Sequence, residues 1–191
     1  MKLAIVVGHD INQPGAMSAA PLNKHEYDYN LEVAEFIYRI AMQNGITTKI
    51  FLRNKIGVTG VYKLVTEWSD DDTVCVELHF NSFDKKSQGT ETLFDSDPTE
   101  SVDLAREIHQ QVCSVFSRKG KMDRGLKLSD EGRGSHNLTS FTKPSCLIEP
   151  FFGDNPADAD LGLKLKMQYA EAIVKGVAKF FINRDKNMSL N

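Results

Sequence analysis

The chain opens with an uninterrupted apolar run, Leu3-Ala4-Ile5-Val6-Val7, that stops at Gly8-His9-Asp10. A run this short, rich in β-branched residues and ended by glycine, describes a strand buried on both faces of a helix-covered sheet. The pattern returns twice. Thr73–Leu78 runs into His79-Phe80-Asn81, and Ser145–Ile148 runs into Glu149. Each run delivers an ionisable residue to its carboxyl end, and in open α/β sheets that edge is where ligands bind.

Between these runs the periodicity changes. Residues 26–44 carry Val33, Phe36, Ile37, Ile40 and Ala41 at helical spacing and stop at Gly45. Thr47–Leu52 and Gly89–Phe94 read as strands, and Val61–Trp68 as a short helix. A further helix is expected to start at Asp97-Pro98, with an apolar face of Val102, Ala105, Ile108, Val112 and Val115. Arg118–Asn137 reads as a long polar loop holding at most a short strand at Gly125-Leu126-Lys127. Asn155-Pro156 is expected to cap one last long helix, with the polar segment 184–191 as a frayed tail. Alternating strands and helices predict an α/β fold of one domain, 1–183, with a mostly parallel sheet flanked by helices on both faces.

A chain of 191 residues has room for one substantial core. Its net charge of −3 without blocks of like sign argues against nucleic acid and anionic membranes as partners. No stretch reaches transmembrane length, so no stable membrane association is expected, and no signal peptide is visible ahead of the first strand. Oligomeric state is left open. Cys75, Cys113 and Cys146 lack CxxC spacing and read as inert buried thiols of a reducing compartment.

His9 and His79 are metal candidates. A catalytic zinc site takes three protein ligands and leaves a position for water, with two histidines and one carboxylate a common set. Glu26, in His25-Glu26-Tyr27-Asp28-Tyr29-Asn30, stands where a helix begins and can face the same crevice. His25 and Asp28 are its rivals. Glu149 is then the residue for proton transfer to and from the zinc-activated water, and Pro150 holds it extended by disfavouring the α region.

These residues also resemble a known family. Val7-Gly8-His9, Gln13-Pro14-Gly15-Ala16, the Glu26 segment, His79-Phe80-Asn81, Arg124-Gly125-Leu126-Lys127 and Ile148-Glu149-Pro150-Phe151-Phe152 follow the motif order of zinc-dependent N-acetylmuramoyl-L-alanine amidases of the amidase-3 type, the short phage endolysins above all. The resemblance covers roughly residues 3–181. It implies a sheet of about six strands, one Zn2+ held by His9, Glu26 and His79, and Glu149 as the catalytic residue. The implied reaction is hydrolysis of the amide between N-acetylmuramic acid and L-alanine in peptidoglycan. With no export signal visible, cytoplasmic synthesis is expected, with action on the wall after release through a holin-type pore or lysis; no separate wall-binding domain is expected, although the family frequently carries wall-binding repeats. Two alternatives use the same features: a zinc-dependent peptidase or carboxypeptidase on this fold, and a non-catalytic wall-binding relative.

Other polar residues have plainer readings beside functional ones. Asn81, Arg124 and His136 are candidate substrate contacts; as alternatives they are a turn cap, a solvated charge and an exposed loop histidine. Glu77 shares the face of His79 and reads first as a sheet-edge ion pair, with a contact to the histidine as the alternative. His109 is read as a surface or core-edge residue. Asp10 is either a partner of His9 or a turn residue.

Overall fold

Side chains of the first strand alternate between two cores. Leu3, Ile5 and Val7 join one apolar cluster, while Ala4 and Val6 join another on the opposite face. In chain order the computed structural model, which describes residues 1–129 and 135–189, runs β1 (Lys2–Val7), α1 (Glu26–Gln43), β2 (Thr47–Leu52), α2 (Gly57–Trp68), β3 (Thr73–Leu78), β4 (Thr90–Phe94), α3 (Glu100–Val115), β5 (Asp123–Leu128), α4 (Ser135–Leu138), β6 (Ser145–Glu149), α5 (Pro156–Lys164) and α6 (Lys166–Met188). Helices α1, α3 and α6 cover the face of Leu3, Ile5 and Val7 with residues such as Ile37, Ile108 and Ile173. The other face is covered by α2 through Val61, Tyr62 and Val65.

The six strands are ordered β2-β1-β3-β6-β4-β5. All neighbouring pairs are parallel except β4 with β6. That exception matters for the crevice. It sets the amino ends of β4 and β5 beside the carboxyl ends of β1, β3 and β6, so one edge collects residues from both strand directions.

Several expectations need correcting. Helix α3 begins at Glu100, beyond Asp97-Pro98, and it buries His109 and Cys113 alongside Leu104, Ile108 and Val112. The last helical region is two helices broken at Leu165, with Asn155 accepting hydrogen bonds from Ala157 and Asp158 at the first. Residues 184–188 do not fray but continue α6, where Arg184 pairs with Asp72 at 2.6 Å. A full strand, β5, occupies part of the segment read as loop because β4 offers it an edge to pair with. Residues 130–134, including the Gly132-Arg133-Gly134 part of that loop, lie outside the described residues. Among the described residues, no helix is long and apolar enough to cross a membrane.

Candidate metal centre

His9 follows β1 with φ of 64°, a left-handed conformation uncommon for a residue with a side chain. Strain of this kind persists where the surroundings over-determine it, and it clusters at functional sites. Two glycines make the space. An added Cβ at Gly8 would lie 2.5 Å from Cε1 of His79, and one at Gly15 (φ 77°) would lie 2.7 Å from Cδ2 of His9. The same added Cβ at Gly15 would lie 2.9 Å from Oε2 of Glu26, the first residue of α1.

Glu26 is the meeting point. His9 Nε2 lies 3.1 Å from its Oε2, and His79 Nδ1 lies 2.7 Å from its Oε1. The Phe80 amide also donates to Oε1 at 3.1 Å. The carboxylate is only 4% exposed. Burial pushes its pKa up, but hydrogen bonding and charge from His79 and His9 outweigh that and hold it down at about 2. It is therefore an anion at any physiological pH. Of its rivals, His25 turns to the Gly15 carbonyl, and Asp28 is exposed.

The far side of His79 is fixed as well. Its Nε2 lies 2.9 Å from Oε1 of Glu77, which is fully buried. Glu77 is also paired with Arg53, accepts from Tyr62 Oη at 2.6 Å, and accepts from Asn137 Nδ2 at 2.9 Å. Because β3 lies inside the sheet, Glu77 is no sheet-edge residue, and the rest of both sequence readings holds: it pairs with a cation and it contacts the histidine. A carboxylate at Nε2 keeps that nitrogen protonated and turns Nδ1 toward Glu26 and His9. Sequence reasoning left out Arg53, Tyr62 and Asn137; no local pattern marks them, since each reaches Glu77 from a distant element.

Glu149 ends β6, is 9% exposed, and stands beside His79 because the His79 amide donates to the Ile148 carbonyl at 3.1 Å. In the antiparallel register its partner is Glu91 on β4. Glu91 also went unnoticed in the sequence. Buried at 1% exposure, it accepts from Asn81 Nδ2 at 2.8 Å and from Arg124 Nε at 2.7 Å. The Arg124 guanidinium lies over Phe152. So Asn81 and Arg124 both reach the edge that carries Glu149. His136 does not join the histidine–carboxylate cluster; it is exposed on α4, with Nε2 3.4 Å from Thr59 Oγ1. Asp10 is a turn residue, its Oδ1 capping the amides of Asn12 and Gln13.

Two imidazole nitrogens and a buried carboxylate, drawn from three segments of the chain, fit zinc by donor type. The family model for N-acetylmuramoyl-L-alanine amidase matches residues 3–179. The chain belongs to that family. This amidase is 29% identical over 181 residues to the uncharacterized protein YqiI of Bacillus subtilis, covering 93% of this chain and 83% of that one. It is 30% identical over 129 residues to an uncharacterized cell wall amidase of Bacillus anthracis, covering 61% of this chain but only 22% of that longer protein. Among solved structures, the catalytic domain of the CD27L endolysin targeting Clostridia difficile superposes with a TM-score of 0.76 at 27% identity, covering 94% and 97% of the two chains. The amidase is thus a peptidoglycan hydrolase by family, on that family's fold.

Proposed function

We propose that the chain hydrolyses the amide between N-acetylmuramic acid and the L-alanine of the stem peptide with one zinc ion held by His9, Glu26 and His79. The observation that carries this reading is the convergence of two histidines on the two oxygens of one buried glutamate, at the edge where Glu149 ends its strand. When bound, zinc lowers the pKa of water toward ~7 and polarises the scissile carbonyl.

The protein's own groups do the rest. Glu149 accepts the proton of the attacking water and returns it to the departing amine nitrogen. Glu77 keeps the His79 ring oriented. Asn81 and Arg124, tethered through Glu91, position the substrate and support charge developing on the carbonyl oxygen. His136, one residue before Asn137, is assigned a contact with substrate farther from the reacting bond.

Treatment with a chelator is expected to stop digestion of peptidoglycan, and added Zn2+ to restore it. Mass spectrometry of the products should find stem peptides beginning with L-alanine and uncut glycan. Fragments cut within the stem peptide would instead identify a zinc peptidase, and an absence of product at any zinc level would identify a wall-binding protein. A finer test concerns Glu77. Glu77→Gln keeps the shape of the side chain but weakens the partner of His79, and such changes typically lower metal affinity about 10–100-fold. Competition with a chelator of known affinity measures this, and an unchanged affinity would mean that Glu77 does not orient His79 for the metal.

A further inference from the structure

A second group of donors lies where α3 packs against the edge strand β5. His109 and Cys113 are one helical turn apart on α3, so their side chains share a face. Asp123 opens β5 beside them. His109 Nε2 lies 2.9 Å from Asp123 Oδ1 and 3.3 Å from Cys113 Sγ, and the three donor atoms all lie within 4.8 Å of one another. The histidine is buried at 6% exposure, whereas the Asp123 side chain is 44% exposed and Cys113 lines a surface depression with it. This cluster shares no residue with the centre built on Glu26.

We infer that His109, Cys113 and Asp123 form a second cation site, suited to a thiophilic divalent ion of the zinc type. The donors are one nitrogen, one sulfur and one carboxylate oxygen, a set that zinc and similar ions accept in tetrahedral sites with solvent in the fourth position. The other ring nitrogen is already engaged: Nδ1 lies 2.9 Å from Thr92 Oγ1, which is fully buried and fixes the ring. That leaves Nε2 facing a carboxylate and a thiol at once. A neutral ring has at most one proton to offer there, while a cation engages all three lone pairs. On binding, the Cys113 thiol releases its proton to solvent and the ring proton is carried on Nδ1, where it is donated to Thr92 Oγ1, so that the Nε2 lone pair meets the cation. The surface depression supplies an entry path. An ion here ties α3 to the start of β5, next to Arg124.

Titration of the metal-free protein with Co2+ tests this, because a sulfur ligand gives a thiolate-to-cobalt charge-transfer band in the near ultraviolet. The centre at Glu26 holds no sulfur, and Cys75 and Cys146 are fully buried in strands, so the band reports on Cys113 alone. The wild-type protein is expected to show the band and to take up a second equivalent of Co2+. Cys113→Ser should lose both the band and that equivalent, while Glu26→Gln keeps the band. Absence of the band in the wild-type protein, or its persistence in Cys113→Ser, would overturn the proposal. Uptake of one equivalent that vanishes in Glu26→Gln would do so equally.

Discussion

Glu149→Gln is expected to cut peptidoglycan hydrolysis by about 10²–10⁴-fold, the range a positioned general acid–base supplies, while leaving zinc content unchanged. The substitution is nearly isosteric, so β6 and its register with β3 and β4 should persist. A carboxamide cannot take up the proton of an attacking water, nor deliver one to the departing amine. Zinc retention follows because Glu149 is none of the groups that meet at Glu26. The paired measurements are the rate of release of new amino termini from purified peptidoglycan and the zinc content of the same sample. Retained zinc with lost turnover isolates the proton-transfer role. Turnover within a few-fold of wild type would sink it, and zinc loss would move Glu149 into the metal centre. Glu91→Gln offers a contrast, since Glu91 acts through Asn81 and Arg124 and should alter substrate affinity more than the chemical step.

The sheet was legible because its strands are short apolar runs with sharp ends; Thr47–Leu52 and Thr73–Leu78 form as read. The helix start at Glu26 followed from its periodicity and the glycine at its far end. What escaped was pairing. Nothing local distinguishes a strand that will lie antiparallel, so Glu91 did not announce itself as the neighbour of Glu149. The polar segment around Arg124 lacks a periodic signal of its own and becomes a strand only because β4 presents a free edge. Candidates His9 and His79 could be named from strand-end placement, and Glu26 from its place where a helix begins. The shell behind them could not, because Arg53, Tyr62 and Asn137 meet Glu77 through tertiary contacts alone. His109 takes the core-edge half of its reading, but its partners were hidden for a related reason: Thr92 and Asp123, which engage its two ring nitrogens, come from other elements.

Asp158→Ala should destabilise the fold more than any of the other substitutions, by about 3–5 kcal/mol, the cost of leaving a buried charge without its partner. Asp158 on α5 is 1% exposed and receives three hydrogen bonds: from Arg118 Nη2 at 2.9 Å, and from the amides of Gly89 and Phe152 at 3.0 Å each. Arg118 is itself 2% exposed at its side chain, and its Nε reaches Thr90 Oγ1. Thr90 in turn donates to the Pro150 carbonyl at 2.6 Å. One carboxylate thus fastens the start of β4 to the residues that follow Glu149. Against the usual stability of ~5–15 kcal/mol for a domain, its removal takes a large share. At about 2–4 °C per kcal/mol for chains of this size, the thermal midpoint should drop by roughly 6–20 °C. The double variant Arg118→Met/Asp158→Leu separates the causes. If the penalty is the orphaned guanidinium, removing both charges restores much of the midpoint, because apolar replacement of a buried pair is often neutral. If the penalty is instead the two amides left without an acceptor, the double variant stays as unstable as Asp158→Ala. In that second case turnover should suffer beyond what the lost stability explains, since the Phe152 amide anchors the turn directly after Glu149 and its release lets that carboxylate drift from the edge that carries His79.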